Sequence, residues 1–325
     1  MGKIALLVGV SVCDMGFPPL RKARTNVEVL KRALQRTSSG FEVQTLNDPN
    51  LLDMMEAIEQ LFRHREDTDQ VLFFFSGYGI KDVDGQLYFA APHTTLDDRG
   101  NLIRSRTMPV RFLHNVMDTS PAGRQVVMFD CCFRQTGGIS PTEGETPMED
   151  TYNHLIGDRR VILSATTSTQ HLPEPDSLDA WSYTRYWAEG AATGAADIDC
   201  DGSLTVKELH SYAQRKLQVA APDQHPQFYG SEDTANQLVL QVPSQTPTVQ
   251  YRQFLEKMAQ TSEIDTTEFR ILSGRNTLNT FRQHLGLSPQ DAADIEAEVL
   301  RPFQERQQRV QLYEELFSKL TQGTQ

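Results

Sequence analysis

The chain has 325 residues and carries 31 basic against 43 acidic side chains, a net charge of −12 with histidine neutral. That surplus of acid excludes the clustered Lys and Arg that phosphate backbones require, so no nucleic-acid partner is expected. No apolar run approaches the ~20 residues of a bilayer span, so no membrane partner is expected either. Of the four cysteines two are neighbours, Cys131 and Cys132, which fits no disulfide framework and points to a reducing cytoplasm.

From Ile4 to about Leu240 short apolar runs alternate with amphipathic stretches. The strand candidates are Ile4–Val10, Phe41–Leu46, Val71–Phe75, Gln125–Phe129, Val161–Ser164 and Gln237–Gln241. Between them Ala23–Leu34, Leu51–Arg63 and Val110–Met117 repeat apolar residues at helical spacing. The alternation predicts an α/β fold with a mostly parallel six-stranded sheet and helices on both faces. Leu87–Phe89 and Leu102–Met108 suggest a small accessory hairpin.

Residues Gln135–Arg159 lose this rhythm and read as a mobile surface loop, and Thr169–Leu178 is a second irregular stretch. A polar linker over Val242–Val249 then separates a first domain, residues 1–243, from a C-terminal helical appendage, residues 244–325. In the appendage Ser288-Pro289-Gln290-Asp291 is a helix start, with serine as N-cap and proline at the first helical position. That helix is expected to run to Lys319, with Pro302 kinking or dividing it.

Two runs end in reactive-looking turns. VLFFF leads into Ser76-Gly77-Tyr78-Gly79, and VVMF leads into Asp130-Cys131-Cys132. Neighbouring parallel strands lie ~4.8 Å apart, and α/β sheets bind ligands beyond the carboxyl ends of their strands. Side chains just past each run can therefore meet across a cleft, which is the layout of a nucleophilic cysteine and its base.

Together with Val8-Gly9-Val10-Ser11 and Leu163–Thr166, these motifs resemble the caspase-like cysteine peptidases, in particular the bacterial orthocaspase and metacaspase branch. The likeness covers about residues 3–241. It implies a caspase-hemoglobinase fold, a His–Cys dyad and a preference for Arg or Lys at the cleaved bond. Carried over, the catalytic cysteine is Cys132, and Asp130 is an acid lining the pocket for a basic side chain. The family histidine falls on Tyr78, and a further pocket acid falls on Asn26. The usual Ser-Gly after the cysteine is Arg134-Gln135. An ordinary tyrosine has a pKa of ~10 and a histidine ~6.5, so the phenol is a poor proton acceptor at neutral pH.

A second motif runs from Asp197 to Glu208. Asp197, Asp199, Asp201, Ser203, Thr205 and Glu208 stand at the ligand places of an EF-hand loop, with Gly202 at the sharp turn. Calcium is the expected cofactor, because converging carboxylates repel without a cation.

These features favour a calcium-binding caspase-like module with a degenerate dyad, serving signalling or recognition. The alternative is a calcium-dependent endopeptidase cleaving after Arg or Lys, with His93 or His171 as substitute base. Candidate partners are peptides or proteins with basic residues, and a protein held by the C-terminal helices.

Overall fold

The computed structural model describes residues 2–14, 18–35, 40–136, 155–165, 182–199, 201–221, 224–236, 240–241, 247–261 and 277–299. The expected loops over 135–159 and 169–178 fall largely or wholly outside them. So do His171 and the helix beyond residue 299.

The chain divides into two compact units, Met1–Pro243 and Ser244–Gln325. In the first, β1 (Lys3–Gly9), β2 (Glu42–Asn47), β3 (Gln70–Lys81), β6 (Arg124–Gln135), β7 (Arg160–Ser164) and β9 (Gln227–Tyr229) make a sheet in the order β2-β1-β3-β6-β7-β9. All neighbours on this path are parallel except β7 and β9. The accessory strands β4 (Leu87–Ala90) and β5 (Thr107–Pro109) extend it antiparallel from the far end of β3.

Helices cover both faces because the strands are apolar on both. On one face Leu72 and Phe74 of β3 with Val126 and Met128 of β6 pack under α1 (Arg21–Leu34), α4 (Tyr183–Thr193) and α5 (Val206–Ala220). On the other, Phe73, Phe75, Val127 and Phe129 pack under α2 (Leu51–Phe62) and α3 (Val110–Thr119). Phe89 of the accessory hairpin joins that second layer, its ring 4.4 Å from Phe75 and 5.0 Å from Phe129. A fully buried aromatic contributes about 1.5–3 kcal/mol, so this core holds the sheet whatever occupies the ends of its strands.

Three expectations need correction. The runs at VLFFF and VVMF do not end in turns. β3 and β6 continue side by side for twelve residues each, and pairing carries on through Lys81 and Gln135. The extra length of β3 is paired on its far side by β4 of the accessory hairpin, which the short apolar runs do not betray. The sixth strand of the main path is Gln227–Tyr229, not Gln237–Gln241. Leu240–Gln241 (β10) instead pairs with Ser203–Leu204 (β8) in a sheet of two. The linker stops earlier than expected, because Pro247 opens a helix, α6 below (Pro247–Thr261), where its fixed φ suits a first turn.

The second unit holds α6 and helices over 277–284 and 289–299. Tyr251 and Leu255 bury against Leu287, Ala292, Ile295 and Val299. Ser288 caps the helix over 289–299, its hydroxyl accepting the Asp291 amide at 3.1 Å. Among the described residues no helix is long and apolar enough to cross a membrane.

Candidate active site

Alternation along a strand assigns every side chain here to a face. On β6 the odd residues Val127, Phe129, Cys131 and Phe133 enter the layer under α2 and α3. Their even neighbours Asp130, Cys132 and Arg134 emerge on the side of α1. Cys131 is therefore a core residue, its thiol pushed well up by burial and then by the charge of Asp130. Cys132 lies at the margin of a separate small cluster with Leu20, Ala23, Tyr78, Ile80, Tyr88, Ala90 and Leu102.

Across the strand pair Tyr78 stands opposite Cys132, and Ser76 opposite Asp130. The structure thus brings together the two residues expected at the dyad places. Gly79 allows this packing, since a Cβ there would lie 2.4 Å from the Phe133 ring.

Tyr78 is buried, at 2% exposure. Its hydroxyl donates to the Pro18 carbonyl at 2.8 Å, and the Arg134 guanidinium carbon sits 5.8 Å from its ring centroid. Burial raises the phenol above its ordinary pKa, with the Cys132 thiolate adding to the effect and Arg134 opposing it. Burial and the Pro18 contact favour a neutral phenol that already gives its proton elsewhere, and they outweigh the opposing pull of Arg134. Such a phenol is a poor proton acceptor for a thiol.

Asp130 lies beneath, at 5% exposure. Asn26 of α1 donates to its Oδ2 at 3.1 Å, and Thr184 of α4 donates to the same oxygen at 2.5 Å. The Asn26 amide also reaches Ser76 Oγ at 3.4 Å and accepts from Ser182 Oγ at 3.2 Å. A second carboxylate at position 26 would repel Asp130, whereas the amide solvates it. The result is one buried negative charge held by uncharged donors.

Sequence reasoning missed Pro18, Ser182 and Thr184, and the stacking of Arg134. Arg134 was within reach of it, lying two residues past Cys132 and so on the same face of a strand. The Ser182–Thr184 turn carried a weaker signal, a serine N-cap whose hydroxyl accepts the Arg185 amide at 3.1 Å.

Three of the described histidines have other company. His93 is exposed and its Nδ1 lies 3.1 Å from Asp14. His114 pairs with Asp118 at 3.4 Å. His210 is buried, with Nδ1 2.8 Å from the Tyr183 hydroxyl, and burial lowers its pKa to about 4.

The acidic loop links α4 to α5. Gly194 ends α4 in a left-handed conformation, and Gly202 turns the loop at φ +82°, where a side chain is strained. Oxygens of Asp197, Asp199 and Glu208 lie within 4.8 Å of one another. Asp201 is exposed beside them and receives the Ser203 amide at 2.7 Å. Thr205 and Glu208 form a capping box on α5, and Glu208 also takes the Ile198 amide at 2.9 Å. Within the loop, Leu204 of β8 pairs with Leu240 of β10.

The caspase-domain family profile matches residues 2–237. Among solved structures, a crystal structure of a protein from Geobacter sulfurreducens is similar, with 16% sequence identity and a TM-score of 0.47. The match covers 75% of this chain and 99% of that one. No curated protein matches the sequence.

Proposed function

This chain belongs to the caspase-domain family, and from that we propose that it is a caspase-like module of the orthocaspase and metacaspase type whose catalytic dyad has degenerated. It serves as a calcium-binding recognition or signalling scaffold, a pseudoprotease, and not as an efficient peptidase. One observation carries the reading. The residue in register with Cys132 is a buried phenol whose hydroxyl is spent on the Pro18 carbonyl. A positioned base contributes roughly 10²–10⁴-fold to such a reaction, and that contribution is lost here.

The ligand favoured by the remaining pocket is a peptide carrying Lys or Arg. Asp130 is a buried carboxylate solvated by an amide and a hydroxyl, and a cation brought to it completes a charge pair. Asn26 limits the pocket to that one charge.

Calcium suits the acidic loop. Asp197 Oδ1 is buried without a hydrogen-bond partner, and burial followed by Glu208, Asp201 and Asp199 pushes Asp197 up to about 6. A divalent cation relieves both the orphaned oxygen and the crowding of like charges. Asp197, Asp199, Asp201 and Glu208 would offer carboxylates, Ser203 its carbonyl and Thr205 a water-mediated contact.

The test is cleavage of an Arg-containing peptide by wild type, Cys132→Ala and Tyr78→His, each with and without calcium. Wild type should be no faster than Cys132→Ala, and Tyr78→His should gain Cys132-dependent activity. The retained Asp130 favours the rival reading, a calcium-controlled endopeptidase cleaving after Arg or Lys. Rapid, Cys132-dependent turnover by wild type decides for that rival.

A further inference from the structure

On the sheet face under α1, α4 and α5 the middle rows are apolar. Alternation and register align Val43, Ala5, Leu72 and Val126 in one row, and Leu7, Phe74 and Met128 in the next. The row before them, at the start of the strands, is different. There Lys3 of β1 lies beside Gln70 of β3, and Gln70 beside Arg124 of β6. Backbone bonds fix this edge, from the Gln70 amide to the Gly2 carbonyl at 2.8 Å and from the Arg124 amide to the Asp69 carbonyl at 3.2 Å.

Lys and Arg at a sheet edge are ordinary, since their long stems carry the charge to solvent. Gln70 is not ordinary. It is fully buried, at 0% exposure, and neither its Oε1 nor its Nε2 has a hydrogen-bond partner among the described residues. A buried amide in a folded protein finds partners for such atoms. Its neighbours on either side are half-buried cations. The Lys3 ammonium lies 5.9 Å from the Phe41 ring centroid, and its pKa is lowered by burial and then by the charge of Arg124. The nearby acids are already engaged. Asp67 pairs with Arg159 at 3.2 Å, and Asp69 accepts the Gly2 amide at 2.6 Å and the Glu66 amide at 2.9 Å. Two mutually repelling cations thus flank a buried amide with a donor and an acceptor to spare.

We propose that this edge of the sheet binds inorganic hydrogen phosphate between Lys3 and Arg124, with Gln70 as the floor of the site. The phosphate oxygens accept from the Lys3 ammonium, the Arg124 guanidinium and Gln70 Nε2. The single P–OH that the dianion keeps at neutral pH donates to Gln70 Oε1. A carboxylate or a sulfate brings the charge without that proton and leaves Oε1 orphaned, which is why the occupant is phosphate and not an acidic side chain. Gln70 opens β3 and Tyr78 comes eight residues later, ~26 Å along the strand. The site is therefore separate from the cleft and rests on none of its chemistry.

The experiment titrates the full-length chain with sodium phosphate by isothermal calorimetry, in phosphate-free buffer at neutral pH and constant ionic strength. Sodium sulfate is the control, and the melting temperature is followed in parallel. Phosphate should saturate a single site and raise the melting temperature, and sulfate should bind about tenfold more weakly. Arg124→Gln and Lys3→Met each remove one cation from the edge and should each weaken phosphate by about tenfold. Arg124→Lys should restore most of the affinity. Gln70→Met removes the orphaned amide at similar volume, so without ligand it should melt no lower than wild type, and its preference for phosphate over sulfate should vanish. Should Gln70→Met fail to fold, the Arg124 and Lys3 variants still decide. A phosphate response that never saturates overturns the proposal, as does one that sulfate equals. So does phosphate affinity undiminished in both Arg124→Gln and Lys3→Met.

Discussion

The carboxamide of Asn26 faces the carboxylate of Asp130, nitrogen to oxygen at 3.1 Å, and both side chains are buried. One atom separates this arrangement from a pair of acids. Asn26→Asp should therefore destabilise the chain at neutral pH by about 2 kcal/mol, through like charges in a poorly solvated site. The new carboxyl has a raised folded pKa, so the deficit is largest above that pKa and shrinks as acid protonates it. Urea melts at pH 5 and pH 8 measure this. An equal deficit at both values would mean that shape and not charge explains Asn26.

Tyr78 is assigned no proton transfer, so removing its hydroxyl should cost stability and nothing else. Tyr78→Phe leaves the Pro18 carbonyl short of a donor and should lower stability by about 1–2 kcal/mol. Peptide cleavage should stay at the wild-type level, with or without calcium. A fall in Cys132-dependent turnover in this variant would restore the phenol to the chemistry.

Calcium should raise the melting temperature of the wild type. Saturation at ~100 times the dissociation constant adds about 2.7 kcal/mol. Asp197→Asn should abolish the calcium response. Without calcium the variant should be as stable as wild type or slightly more so, since it removes a carboxylate held high by burial and by Glu208. An undiminished calcium shift in Asp197→Asn would place the ion elsewhere.

Asp48 offers a separate pH test. It has φ +48°, a conformation that asparagine tolerates. Burial raises its pKa, but hydrogen bonds from Arg24 and Ser11 outweigh that and hold it below the ordinary carboxylate value. Its ionic contribution is thus fully present above ~4, the unfolded value, and disappears as the pH falls through the lower folded one. Asp48→Asn should be less stable than wild type at pH 7 and indistinguishable from it at the acid end. Parallel stability curves that never converge would refute this.

The alternation of apolar runs made the sheet legible, and the motif order made the family legible. The resemblance singled out Cys132; only with β6 continued past Phe129 does period-two alternation separate it from Cys131, one facing the cleft and the other the core. The lengths of β3 and β6 were not legible, because Gly77 and Gly79 look like turn residues. Their pairing with Cys131 and Phe133 of β6 shows them to be strand positions, and the Phe133 ring packs where a Cβ on Gly79 would otherwise be. The partners of Asp130 were hidden for another reason. Thr184 lies 54 positions away in the chain, and nothing local marks which hydroxyl will reach a distant carboxylate. Gln227–Tyr229 is too short to announce itself as a strand, and only its pairing with β7 defines it.

Because Asp130 and Cys132 ride on one continuous strand paired to β3 along its whole length, their separation is a fixed gauge length. A ligand cannot draw them closer, and no switch in the molecule can spread them. Any adjustment of grip falls to the walls: the segment carrying Cys13 and Pro18, and the turn carrying Ser182 and Thr184. Variation confined to those walls would retune what the cleft accepts while the thiol and the acid keep their spacing.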